Sequence, residues 1–85
     1  MRAVTLYARR ECSLCDEARA MLDALSGREG FAVDVVDIDA DPVLRERYDA
    51  AVPVVAVAGR EVARAPLRAD ALAAALRDAF AAGPA

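Results

Sequence analysis

The chain holds two cysteines, Cys12 and Cys15, both inside "RRECSLCDEA" (9–18) and separated by two residues. Thiols at that spacing can form a disulfide, grip a metal ion or lie inert in a core. As a structural staple the pair is weak, because the stabilisation from a cross-link grows with the loop it closes, and this loop is very short. A structural zinc takes four ligands, mostly Cys or His. The sequence has no histidine and no third cysteine, so a zinc, copper or iron–sulfur centre here would need a second chain or an external thiol. The lack of histidine also removes the imidazole base of a Cys-His hydrolase. Disulfide exchange needs no separate base once a thiolate is present, and it is the chemistry this pair favours.

The placement of the pair sharpens that reading. "AVTLYA" (3–8) alternates and is rich in β-formers, so it predicts a strand. From the cysteines onward Leu14, Ala18, Met21, Leu22 and Leu25 recur at helical spacing as one apolar face, ended by the glycines of "SGREG" (26–30). Cys12 should therefore sit at the helix N-cap and Cys15 about one turn inside. Unpaired amides at a helix N-terminus stabilise an anion, most strongly at the first cysteine. Cys12 is then the attacking thiolate, more acidic than a free thiol, and the better shielded Cys15 the resolving one. Arg9 and Arg10 should favour the thiolate, while Glu11, Asp16 and Glu17 oppose it. The two arginines are also candidates to meet a substrate carboxylate, and Tyr7, at the end of the strand, to line the groove.

The remaining elements must hold this loop. "FAVDVVDID" (31–39) reads as a second strand, and Pro42 opens a short helix, "PVLRERY". Two further β runs, 54–58 and 61–64, flank a turn at Gly59-Arg60, and a last helix runs from Arg68 to about Ala82 with Leu72, Ala75, Leu76, Ala79 and Phe80 on one face. The order is β-α-β-α-β-β-α. The first two strands, joined through a helix, should be parallel with a right-handed crossover. The last two form an antiparallel hairpin, and helices cover both faces of a four-stranded sheet. Pro53 precedes the third strand, where a residue without an N–H is tolerated.

Composition bounds the alternatives. Eighty-five residues make one domain, here residues 1–82 with a frayed tail at 83–85, and a 58% apolar content is too high for a disordered chain. A net charge of −3 disfavours nucleic acid, whose phosphates need a basic face. No apolar run is long enough to span a membrane, and the start lacks the apolar core of a signal peptide. The expectation is a monomer in the cytoplasm, where a cysteine pair is more often catalytic or metal-binding than structural. "DIDAD" (37–41) lacks the glycine and glutamate spacing of a calcium loop and reads as a solvated strand end.

Cys-x-x-Cys after the first strand, Val-Pro before the third and a Gly-Arg turn in the hairpin resemble glutaredoxin and the wider thioredoxin-fold family. "CSLCDEA", "VDIDADP" and "VPVVAVAGRE" look especially like the small bacterial glutaredoxin-like proteins. The resemblance implies the sheet order 2-1-3-4 and a cis Pro53 facing the cysteines. It also implies that the Val52 backbone pairs with a bound peptide or glutathione, beside Ser13 and Leu14. It implies a thiol–disulfide oxidoreductase with no bound cofactor, acting on a disulfide-containing protein or a glutathione mixed disulfide. Glutathione or a thioredoxin-type reductase would be the electron donor. Two features depart from glutaredoxins. Ser13-Leu14 replaces the common Pro-Tyr between the cysteines, and Ala63-Arg64 stands where a Gly-Gly is usual. Some relatives are adaptors rather than catalysts, so a thioredoxin-fold binding module is the alternative.

Overall fold

The structure, a computed structural model, describes residues 2–82; the tail expected at 83–85 lies outside them. Strand β1 (Arg2–Ala8) buries Val4, Leu6 and Ala8 on one face and turns Thr5 and Tyr7 to the other. This period-2 alternation suits a central strand with both faces covered. Helix α1 (Ser13–Glu29) follows and buries Cys15, Ala18, Leu22 and Leu25. Strand β2 (Phe31–Asp37) pairs parallel to β1, in register from Arg2 opposite Phe31 to Ala8 opposite Asp37.

A 3-10 turn at Ile38–Ala40 leads to helix α2 (Pro42–Tyr48). Its start is strongly specified: the Asp41 carboxylate accepts the Val43 N–H at 2.9 Å, and Pro42 occupies the first turn. A second 3-10 turn, Asp49–Ala51, precedes β3 (Val54–Val57) and β4 (Arg60–Arg64), and helix α3 (Ala69–Ala81) completes the described chain. The sheet order is β2-β1-β3-β4, with β3 antiparallel to both β1 and β4, as the resemblance implies.

The layers follow from alternation along β1 and β3. Val4, Leu6 and Val55 meet Leu22 and Leu25 of α1 and Leu72 and Leu76 of α3 in the main core. Val54 turns the other way, to Ile38 and Tyr48, with Leu44 of α2 and Tyr7 against them. Burying each leucine contributes roughly 1.5–3 kcal/mol, so the larger core dominates stability. No helix among the described residues is long and apolar enough to cross a membrane.

Helix α1 ends within 26–30 as expected: it runs through Gly27 to Gly30, whose φ of 74° gives the left-handed cap that hands its N–H to the Ser26 carbonyl. Three local expectations are corrected. Leu14 is not on the buried face: it is 55% exposed, and Cys15 takes the core position. Strand β2 stops at Asp37, and Ile38 buries fully in the 3-10 turn, so "DIDAD" is no solvated strand end. The hairpin turn is Ala58-Gly59, with φ of 52° and 79°, one residue earlier than expected. An irregularity between Val55 and Ala56 shifts the ladder there.

Candidate active site at the head of helix α1

The chain leaves β1 at the buried Ala8 and turns through Arg9, Arg10 and Glu11. Glu11 has φ 54°, a left-handed conformation that a non-glycine residue rarely adopts. This bend delivers Cys12 in an extended conformation (φ −124°, ψ 102°) as the N-cap of α1. The Cys12 Sγ accepts the Cys15 N–H at 3.1 Å, and the Cys12 carbonyl accepts the Asp16 N–H at 3.0 Å. A sulfur thus occupies the place where a hydroxyl or carboxylate oxygen usually caps a helix.

The two cysteines are joined in a disulfide, with their Cα atoms 5.2 Å apart. Their environments differ. Cys15 is 3% exposed within the main core, whereas Cys12 is half-buried at its rim. Ser13 and Leu14, between them, are exposed. Cys12 is therefore the more exposed member of the pair. Among the described residues no three His, Cys, Asp or Glu side chains gather as metal ligands.

Val52 packs at the rim of both cores, so it shares with Cys12 the edge of the larger one. The Val52–Pro53 peptide bond is cis, and Pro53 is fully buried. The Pro53 carbonyl accepts the Ala65 N–H at 3.1 Å, which carries the β3–β4 ladder one step past Val54 opposite Arg64. A second cis bond joins Ala65 to Pro66. Tyr7, opposite Val54 in the sheet, stacks on Tyr48 with ring centroids 4.6 Å apart. Its ring is therefore engaged with the last residue of α2.

The two arginines part company. Arg10 is almost fully exposed and lies 3.8 Å from Asp37. The Arg9 guanidinium meets two carboxylates of its own chain. Nη2 and Nε donate to the two oxygens of Asp39 at 2.8 and 3.2 Å, and Nη1 donates to the Asp49 carbonyl at 3.0 Å and its carboxylate at 3.2 Å. The bond from Arg9 holds the Asp39 carboxyl below its usual range, and the carboxylates make Arg9 still harder to deprotonate. Asp39 and Asp49 escaped the sequence reading because their partner lies 30 and 40 residues away. The one available signal was an arginine beside the cysteine motif together with carboxylates at both ends of α2.

Among curated proteins none matches the sequence significantly. The structure of target protein XcR50 from X. campestris superposes with a TM-score of 0.71 at 38% identity, covering 88% of this chain and 96% of that one. Protein Ne2328 from Nitrosomonas europaea gives 0.74 at 33% identity, over 86% and 88%. A mutant thioredoxin from Halobacterium salinarum gives 0.67 over 91% of this chain and 73% of its own, and at 21% identity this likeness speaks for the fold. The glutaredoxin-like domain (DUF836) matches residues 3–77, from the first strand into the last helix, and the chain accordingly belongs to the glutaredoxin-like family and carries the thioredoxin fold.

Proposed function

We propose that the protein is a dithiol thiol–disulfide oxidoreductase that reduces protein or glutathione mixed disulfides. The observation that carries the reading is the asymmetry of the cysteine pair. One sulfur is half-buried at a helix N-cap with an amide aimed at it, and the other is buried one turn inside and already joined to the first.

The reaction balances without a cofactor. The Cys12 thiolate attacks one sulfur of a substrate disulfide, forming a mixed disulfide and expelling the other sulfur as a thiolate that takes up a proton. Cys15 loses its proton and attacks Cys12 Sγ. The Cys12–Cys15 bond forms, and the second substrate thiolate leaves. The substrate gains two electrons, the dithiol loses two, and the present structure corresponds to the oxidised product. Reset requires two electrons from glutathione or from a thioredoxin-type reductase, in a reducing cytoplasm. In this reading a substrate strand lies along Val52 and Pro53, beside Ser13 and Leu14, and the working unit is a monomer.

The test is equilibration of the protein in glutathione redox buffers, alkylation of free thiols and weighing of the products. A reversible Cys12–Cys15 transition between roughly −120 and −270 mV is expected, the range of known exchange catalysts. A Cys15→Ala variant should accumulate a mixed disulfide at Cys12. A pair that forms no intramolecular disulfide at any buffer ratio rejects the dithiol mechanism.

A further inference from the structure

We infer that Arg9 is a positioning residue. Its guanidinium straps the loop carrying Cys12 to the segment carrying Val52 and Pro53, and so fixes a substrate strand relative to the attacking sulfur. This role rests on the exchange reading above.

The connections are specific. Arg9 is the first residue after β1 and lies three before Cys12. Asp39 belongs to the 3-10 turn that follows β2, and Asp49 opens the 3-10 turn that runs into Val52 and Pro53. The bonds at 2.8 and 3.2 Å to Asp39 form a side-on fork, and the pair at 3.0 and 3.2 Å to Asp49 ties a carbonyl as well as a carboxylate. Arg45 Nε also lies 3.5 Å from the Asp39 Oδ1, holding that carboxylate from α2. The geometry thus joins the two loops that border the reaction centre through one side chain.

The chemistry explains why the residue is arginine. A guanidinium offers five N–H donors in a planar fork, and four of them are engaged here. A lysine ammonium is a point charge on a flexible stem and does not reproduce a fork on one carboxylate together with two bonds to another residue. Isolated exposed ion pairs are weak, but forked arginine pairs within a network are the exception. The side chain is also only 30% exposed. With one N–H to spare, Arg9 is poorly placed to take a substrate carboxylate, the role considered for it from sequence. What it does control is alignment, to which exchange is sensitive: misplacing reacting groups by about 1 Å can lower a rate about 100-fold.

The experiment compares wild type, Arg9→Lys and Arg9→Met with two probes. One is a peptide disulfide long enough to run along Val52, and the other is hydroxyethyl disulfide, which is too small to do so. Amide hydrogen exchange at Asp16 and Ala65, whose N–H groups bond the Cys12 and Pro53 carbonyls, gives a readout in the oxidised proteins that needs no activity. The expected result for Arg9→Met is a rise in KM for the peptide about tenfold larger than for the small disulfide. Exchange at Asp16 and Ala65 should quicken together by about tenfold, and Arg9→Lys should resemble Arg9→Met. Equal losses on both probes, faster exchange at one loop only, or full rescue by lysine would each overturn the role. If wild type reduces neither probe, the exchange reading of function fails, and paired amide exchange alone decides whether the strap exists. Should Arg9→Met fail to fold, Asp49→Ala removes only the carboxylate anchor nearest Val52. Unchanged exchange at Ala65, which bonds the Pro53 carbonyl, counts against the strap in that variant, and faster exchange there supports it.

Discussion

Reducing the Cys12–Cys15 bond should change stability only slightly, and the size of the change separates a redox pair from a structural staple. The cysteines are three apart in sequence, so the bond closes a loop of about four residues, for which chain entropy predicts about 2 kcal/mol. Reduction opposes this with a gain. A Cys12 thiolate at the helix N-terminus, facing the Cys15 N–H at 3.1 Å, is stabilised by about 0.3–2 kcal/mol. The oxidised form should therefore exceed the reduced form by between about 0 and 2 kcal/mol. For a domain of this size that corresponds to a melting difference of no more than about 10–15 °C. The same difference must appear in the potentials. Two kcal/mol across a two-electron couple places the folded pair about 40 mV below the unfolded one. The assay is guanidinium unfolding of the oxidised and dithiothreitol-reduced proteins, with the pair's potential measured on folded protein and on a denatured sample. An oxidised form more stable by over about 4 kcal/mol would refute the reasoning, because the bond would then be a structural cross-link that exchange seldom opens.

Leu22 is fully buried between α1 and the sheet, so Leu22→Ala should lose about 2–5 kcal/mol in urea unfolding; a loss under about 1 kcal/mol would mean that α1 is not packed as described. Ala58 holds a φ of 52° in the two-residue hairpin turn, a conformation that asparagine adopts more readily, so Ala58→Asn should gain up to about 1 kcal/mol; destabilisation would contradict the turn. The bond from Arg9 lowers the Asp39 carboxyl, and the bond from Arg64 lowers that of Glu61. Groups lowered on folding stabilise above their unfolded values, near pH 4, and lose that contribution as pH falls through the lower folded ones. The urea midpoint should hold steady down to about pH 5 and fall below about pH 4, less steeply in Asp39→Asn; an equal slope in that variant would exclude Asp39 as a contributor.

The elements that could be read in advance are those fixed by neighbours in sequence. Helix α2 has its expected limits because Asp41, Pro42 and a short amphipathic run specify them locally. Cys12 falls at the N-cap because a β run stops and a helical period starts around it. The misses are positions where local signals tie or are outweighed. Residues 14 and 15 both continue the face of Ala18 and Leu22 at helical spacing, and only the lie of α1 on the sheet decides that Cys15 is buried and Leu14 is not. The exact stop of α1 within the expected stretch 26–30 is settled the same way: Gly27 weakens a helix by about 1 kcal/mol relative to alanine, yet the turn around it holds. The Ser26 side chain bonds the Phe31 carbonyl, and Gly30 supplies the left-handed cap. The Arg9 network joins residues 30 and 40 apart, and no periodicity reports such a contact. Tyr48, buried against Tyr7, belongs to the same class.

The starts of α1 and α2 make a controlled comparison within one chain. Helix α2 begins with an aspartate cap and a proline, a combination that serves stability. Helix α1 begins after Glu11 at φ 54°, with a sulfur as its cap and an exposed leucine in its first turn. Each of these choices is worse than an available alternative: glycine at the left-handed residue, serine or aspartate at the cap, a polar residue at the exposed position. Departures from local preference tend to gather where a different requirement takes precedence. Three lie together between Glu11 and Leu14, around the outer cysteine, whereas Ala58 in the hairpin turn is a single departure. A structural disulfide would not call for them, because its sulfurs need neither access nor an amide pointed at one of them. An exchange site does. In the proposed exchange reaction the thiolate needs that amide, the incoming disulfide needs the open side of the loop, and the exposed, apolar Leu14 would give a polypeptide substrate a surface to dry against.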